Sequence, residues 1–307
     1  MELSKEHTAT LSHLNILAKQ VVEGFITGMH KSPFHGFSVE FSEHKLYNAG
    51  ESTRHIDWKL FAKTEKLYTK KYEEETNLRC HIIIDNSGSM QYPQEKNTAL
   101  NKLNKIGFSA VAAACLLEIL KRQRDAVGLS IYSDTYEYYA LEKGSERHRN
   151  MLLHTLENLL QSTKNTKATD TYRFLHEIAE KIHRRSLLFV FTDMWQTTTA
   201  KEQLFEALRH LKYNKHEVVL FHVYDKDTEI SLNFDDSPKK FVDLETGDEV
   251  QLFSQEVQKE YQEAVEDYFK ELKEKCLKYQ IDYVPVDCKA GFDTVLTSYL
   301  VSRRKFL

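Results

Sequence analysis

Apolar residues recur at helical spacing near the start of the chain, at Leu11, Leu14, Leu17, Val21, Val22, Phe25 and Met29. This spacing lines one face of a helix. The opposite face is not rich in Lys or Arg, so the stripe is expected to dock on the rest of the protein rather than on a membrane surface. From residue 78 the pattern becomes short apolar runs alternating with longer amphipathic ones. Leu78–Ile84 ends in Ile82, Ile83 and Ile84, as expected of a strand buried on both faces. A helix is predicted over 97–122, and its segment Ile106–Leu117 is apolar almost all round, which places it inside the domain. Ala126–Tyr132 and Tyr136–Leu141 flank Ser133-Asp134-Thr135 as a hairpin.

Further helices are predicted at 146–161, 170–183, 200–211, 255–277 and 292–303. Strands are predicted at 187–192, 218–224 and 281–286, with a small hairpin over 238–253 around Thr246-Gly247-Asp248. Pro285 inside the last strand places that strand at a sheet edge. Strands separated by helices imply an α/β fold: a mostly parallel, doubly wound sheet covered on both faces, with one antiparallel hairpin edge. Residues 30–77 read as an irregular layer of aromatic and charged residues, with a short strand within Leu67–Tyr72. The expected organisation is an N-terminal helix and extension over 1–77, packed on a domain over 78–307.

Composition narrows the class. Ten Gly and four Pro in 307 residues exclude collagen-like and linker-rich chains, and 17 Phe with 16 Tyr can build a sizeable core. Lys plus Arg number 42 against 46 Asp plus Glu, a net charge of −4, which argues against bulk binding to nucleic acid or anionic lipid. Cys80, Cys115, Cys276 and Cys288 form no C-x-x-C pair and are expected to be buried thiols in a reducing cytosol. The N-terminus lacks a signal-peptide pattern, and no apolar run reaches the roughly 20 residues of a membrane span. A cytoplasmic protein is the expectation.

The most informative segment is Asp85-Asn86-Ser87-Gly88-Ser89, at the end of a buried strand. Asp85, Ser87 and Ser89 place oxygen-bearing side chains at alternate positions, and in α/β sheets ligands bind beyond the carboxyl ends of strands. One carboxylate and two hydroxyls suit a hard cation such as Mg²⁺. Gly88 is expected to allow the tight path that turns both serines to one point. A second buried strand, Leu187–Thr192, also ends in an Asp, Asp193, and Thr169-Asp170-Thr171 precedes a predicted helix.

This combination resembles the von Willebrand factor A domain and its metal-ion-dependent adhesion site, over about residues 78–300. The resemblance implies a metal site of Asp85, Ser87, Ser89, Thr169 and Asp193, with Thr171 as the fallback for Thr169. Glycines usual before that Thr are missing, and Met194 replaces a frequent glycine after the third-loop Asp. The implied cofactor is Mg²⁺, with Mn²⁺ or Ca²⁺ as alternatives.

The preceding flank, from Phe34-His35-Gly36-Phe37 to Arg54-His55-Ile56-Asp57-Trp58, is similar to domain-of-unknown-function family fifty-eight. Lys45 and Glu51-Ser52 depart from the family pattern, whereas Arg54, Ile56, Asp57 and Trp58 keep it. Arg54 and Asp57 could pair to hold an irregular segment with Trp58 as a packing anchor, or the cluster could contact a partner. The resemblance implies a non-enzymatic interaction module acting with a MoxR-type AAA+ ATPase or its client in protein assembly or remodelling. In such a module, a partner's Asp or Glu carboxylate completes the metal shell.

Other chemistries find little support. Fourteen histidines include no H-E-x-x-H, and His148, His154, His176 and His183, on predicted helices, are expected to be solvated or capping groups. No phosphate loop, G-x-G-x-x-G or G-x-S-x-G elbow occurs. The alternative is a Mg²⁺-dependent phosphotransferase of haloacid-dehalogenase type, which needs a second Asp two residues after the first. Position 87 is Ser, so that general acid is missing.

Overall fold

A computed structural model describes residues 14–30, 44–46, 58–64, 66–70, 78–94, 100, 102–161, 171–183, 185–195, 198–235, 237–244 and 247–304. The first elements are α1 (Leu14–His30), β1 (His44–Leu46), α2 (Trp58–Thr64) and β2 (Tyr68–Lys70). Then come β3 (Arg79–Asp85), α3 (Lys105–Arg122), β4 (Ala126–Tyr132), β5 (Tyr136–Lys143), α4 (Glu146–Gln161) and α5 (Thr171–Lys181). They are followed by β6 (Leu187–Thr192), α6 (Thr198–Tyr213), β7 (Glu217–Tyr224), β8 (Lys239–Val242) and β9 (Glu249–Leu252). The chain closes with α7 (Ser254–Lys278), β10 (Asp282–Asp287) and α8 (Asp293–Arg304).

The chain divides into two compact units, one of Met1–Ile26 with Leu78–Leu307, the other Thr27–Asn77. In the smaller unit β1 pairs antiparallel with β2. The larger unit is built on a six-stranded sheet in the order β10-β7-β6-β3-β4-β5. Its neighbouring strands run parallel except β4 and β5. The α/β class and the single antiparallel edge therefore stand as expected. Pro285 lies in β10, which pairs only with β7, so its missing N–H costs no ladder bond on the open side.

Burial explains why these runs became central strands. Cys80 to Asp85 on β3 and all six residues of β6 are buried, because helices cover both faces. On one face Ile83, Tyr132, Val190 and Leu220 pack with Phe174, Leu208 and Leu272 from α5, α6 and α7. The other face is covered by α3, which is buried from Lys105 through Leu117. That helix begins at Lys105 rather than near 97, because Asn104 is extended and its side chain accepts from the Gly107 N–H at 2.8 Å.

α1 docks as its stripe required: Leu14, Leu17 and Val22 are fully buried, and the Leu14 N–H donates to Glu157 on α4. The four cysteines are free and buried. Among the described residues no helix is long and apolar enough to cross a membrane. One histidine departs from expectation. His148 is buried, its Nε2 lies 2.9 Å from the Val127 carbonyl, and burial holds its pKa below the usual imidazole value.

Candidate metal-binding site

The chain leaves β3 on one side to build β4 and β5, then returns to place β6 on its other side. The reversal opens a crevice beyond the carboxyl ends of β3 and β6, the usual place for a ligand in such a sheet. Asp85 ends β3, and Asp193 immediately follows β6. The two carboxylates thus come from adjacent strands without any long-range coincidence of loops.

Asp85 is almost wholly buried and organises the site. Its Oδ1 accepts from the Ser87 N–H at 3.0 Å, and its Oδ2 accepts from the Thr192 hydroxyl at 2.9 Å. Thr171, the first residue of α5, directs its hydroxyl to the same Oδ2 at 3.5 Å. The Ser87 and Ser89 hydroxyl oxygens lie 3.0 Å apart. The loop that carries them is held by Asn86, whose N–H donates to the Tyr132 carbonyl and whose side chain bonds Glu137 and Gln91. Gly88 has φ −57° and ψ −41°, ordinary right-handed backbone, so this turn does not use a glycine's extra freedom. The tight path comes instead from a single 3-10 turn, Ser89–Gln91.

Burial, and then the neighbouring Asp193 carboxylate, push the Asp85 carboxyl up to about 7. Burial first and the Asp85 carboxylate next raise the Tyr132 phenol well above its ordinary value and keep it protonated. A buried carboxylate met by hydroxyl oxygens, with a second carboxylate at the adjacent strand end, is a donor set that a hard divalent cation fits. Among the described residues no group of three or more His, Cys, Asp or Glu could hold a metal ion. The set is therefore one of carboxylates and hydroxyls, and gives no support to a zinc centre.

Asp85, Ser87, Ser89 and Thr171 are brought together, while Thr169 lies outside the described residues, as do Arg54 and Asp57. Trp58 opens α2, and its side chain is likewise outside them. Asp193 stands at the adjacent strand end, but its Oδ2 accepts from Lys105 Nζ at 2.9 Å and its Oδ1 from the Trp195 N–H at 3.3 Å. Met194, in the place of the expected glycine, takes φ +58° and is fully buried.

Three participants were not foreseen. Thr192 is hidden as the last residue of a strand. Lys105 opens α3 and reaches both Asp193 and Glu229, the latter at 2.5 Å. Burial opposes its charge, but those two carboxylates outweigh it and raise its pKa. Glu229 lies in a π turn, Lys226–Ile230, after β7, and its other oxygen accepts from the Asp225 N–H at 2.7 Å. The signal for Lys105 was Asn104, a helix cap just before it.

Among relatives, the uncharacterized protein Mb1516 of Mycobacterium bovis and Rv1480 of Mycobacterium tuberculosis are each 22% identical over 185 residues, 60% of this chain. The matched stretch spans 56% of those relatives' length. Among solved structures, the conserved hypothetical protein BatB from Bacteroides thetaiotaomicron superposes with TM-score 0.44 at 13% identity, over 75% of this chain and 100% of that one. An aerotolerance-related membrane protein from Bacteroides fragilis gives TM-score 0.44 at 14% identity, over 73% and 99%. The model of the family described as "Protein of unknown function DUF58" matches residues 43–271, and the chain belongs to that family.

Proposed function

We propose that this chain is a non-enzymatic protein-interaction module whose site beyond β3 and β6 holds a divalent cation, Mg²⁺ or in its place Mn²⁺ or Ca²⁺. The observation that carries the reading is the convergence of the Ser87, Thr171 and Thr192 groups on one buried carboxylate, Asp85, beside a second, Asp193. Asp85, Ser87 and Ser89 are the candidate direct ligands, with Thr171 or Thr169 and Asp193 completing the set. A bound cation supplies a Lewis-acidic position that an incoming carboxylate can occupy. Asp85 and its hydrogen-bonding hydroxyls hold that position at the sheet edge, and the buried strand ends keep it from rearranging. A partner's Asp or Glu is the group that the position selects.

By the resemblance to adhesion-type domains in this family, the partner is a MoxR-type AAA+ ATPase or its client, and the setting is cytoplasmic assembly or remodelling. Catalysis of the phosphotransferase kind is disfavoured because Ser87 offers a hydroxyl where a general acid is needed. The test is a titration of such an ATPase against the full chain in Mg²⁺ and in EDTA. Binding in Mg²⁺ that is lost in EDTA and in Asp85→Ala supports the reading. Equal affinity in both buffers overturns it.

A further inference from the structure

Lys105 is the cation the site already contains. Its side chain is fully buried, and among the described residues no other lysine is. It occupies the first turn of α3, against the positive end of the helix dipole. A buried ammonium also gives up hydration worth several kcal/mol unless carboxylates replace it. Two do, and they come from separate places: Asp193 after β6 at 2.9 Å, and Glu229 after β7 at 2.5 Å. Its neighbours in α3, Ile106 and Phe108, are buried apolar residues.

The consequence falls on Asp193. One of its oxygens belongs to Lys105, and the other holds its own loop through Trp195. It is therefore a partly neutralised carboxylate, unlike Asp85, which faces hydroxyl and amide donors alone. Glu229 shares the ammonium and is itself anchored by the Asp225 N–H. How much of the Lys105 charge Asp193 receives thus depends on Glu229.

We propose that Lys105 is a resident counter-ion that sets the divalent-ion affinity of the site through Asp193, with Glu229 apportioning its charge. This rests on the reading of Asp85 as the centre of a cation site. Lys105 and Glu229 are positioning residues, acting through Asp193 rather than on the ion. The design keeps the ion weakly held and exchangeable, so that a partner's carboxylate contributes a large share of the final shell. Removing the ammonium restores full charge to Asp193 and tightens the site. Removing the Glu229 charge leaves the ammonium wholly to Asp193 and loosens it. A lysine that only closes the core predicts neither effect on affinity.

The experiment measures Mn²⁺ binding to the full chain by calorimetry, with melting in EDTA recorded for each variant. Lys105→Met is expected to tighten Mn²⁺ by about tenfold or more, and Glu229→Gln to weaken it severalfold. Lys105→Met that folds yet binds equally or more weakly overturns the proposal. If Lys105→Met fails to fold, Glu229→Gln decides alone, and unchanged or tighter binding overturns it. Asp85→Asn in the same series tests the underlying site separately: Mn²⁺ binding that ignores this change sinks the site reading. Should the unaltered chain bind no Mn²⁺, binding gained in Lys105→Met supports Lys105 as the resident cation, and none gained overturns it.

Discussion

The Thr192 hydroxyl donates to Asp85 Oδ2 at 2.9 Å, joining the last residue of one central strand to the last residue of its neighbour. The bond satisfies a carboxyl group that has almost no access to water. Thr192→Val keeps the shape and removes the donor. It is expected to lower stability in chelator by about 1–3 kcal/mol, the usual penalty for an orphaned buried acceptor. Urea midpoints read it directly, and an unchanged midpoint would mean that Ser87 and Thr171 satisfy Asp85 unaided.

Asp85→Asn should act in opposite directions with and without metal. In EDTA it removes the repulsion between Asp85 and Asp193, while an amide can still accept from the Ser87 N–H and donate to the Thr192 hydroxyl. The variant is expected to melt higher than the unaltered chain by an amount worth about 1 kcal/mol or more. Adding Mg²⁺ should raise the melting temperature of the unaltered chain and leave Asp85→Asn unmoved, because only a site that binds in the folded state gains from mass action. A large drop for the variant in EDTA would identify Asp85 as a structural hub instead.

Buried histidines remote from this site are expected to contribute to acid lability. His216 is fully buried, its Nδ1 accepts from the Ser186 N–H at 3.2 Å, and burial pushes its pKa down to about 4. Glu142, His81 and Lys212 are the charged and titratable groups that face it. The folded state holds this ring neutral while the unfolded chain protonates it near 6.5, so the unfolded state binds more protons between those values. Stability is fully present above about pH 6.5 and falls as pH drops towards 4, by up to about 1.4 kcal/mol per unit from this residue. His148 is shifted the same way. Asp85, raised to about 7, pulls the opposite way over the same range, so the test is the difference between chains. From about pH 7.5 to 5 the urea midpoint of the unaltered chain should fall relative to that of His216→Gln. An identical slope in the variant would assign the acid lability to other groups.

The architecture was legible because the central strands are buried on both faces. Ile82-Ile83-Ile84 and Leu187–Thr192 carry continuous apolar runs that few other elements tolerate. Asp85, Ser87 and Ser89 stood out because they set oxygen-bearing side chains at alternate positions after such a strand, and the fold brings them together. Thr171, the fallback because the usual glycines before the Thr are missing, directs its hydroxyl to Asp85, while Thr169 lies outside the described residues. Lys105 was not legible, since a helix read as beginning near 97 places it mid-helix, where a lysine is unremarkable. Only the Asn104 cap, which fixes Lys105 in the first turn, exposes its opposition to the helix dipole. Glu229 fell in a stretch assigned to no element, and its role depends on a π turn with no sequence signature.

Met194 carries the last prediction, because two of its properties pull against each other. Its φ of +58° is left-handed backbone, where glycine is at ease and a side chain costs roughly 1–2 kcal/mol. Yet the side chain is fully buried among the α5, α6 and α7 residues, and its carbonyl accepts from the Tyr268 hydroxyl. Burial therefore holds the residue in a conformation its backbone disfavours. Met194→Ala loses the packing and keeps the strain, and is expected to cost about 2–5 kcal/mol. Met194→Gly loses slightly more packing but releases the strain, and should be less damaging than alanine by about 1 kcal/mol. That ranking reverses the usual order at ordered positions, where glycine is the worse choice. Chemical denaturation of both variants measures it. Alanine equal to or better than glycine would show that the loop relaxes out of the left-handed region once the methionine is gone, and that the path to Trp195 is set by the Tyr268 bond rather than by residue 194.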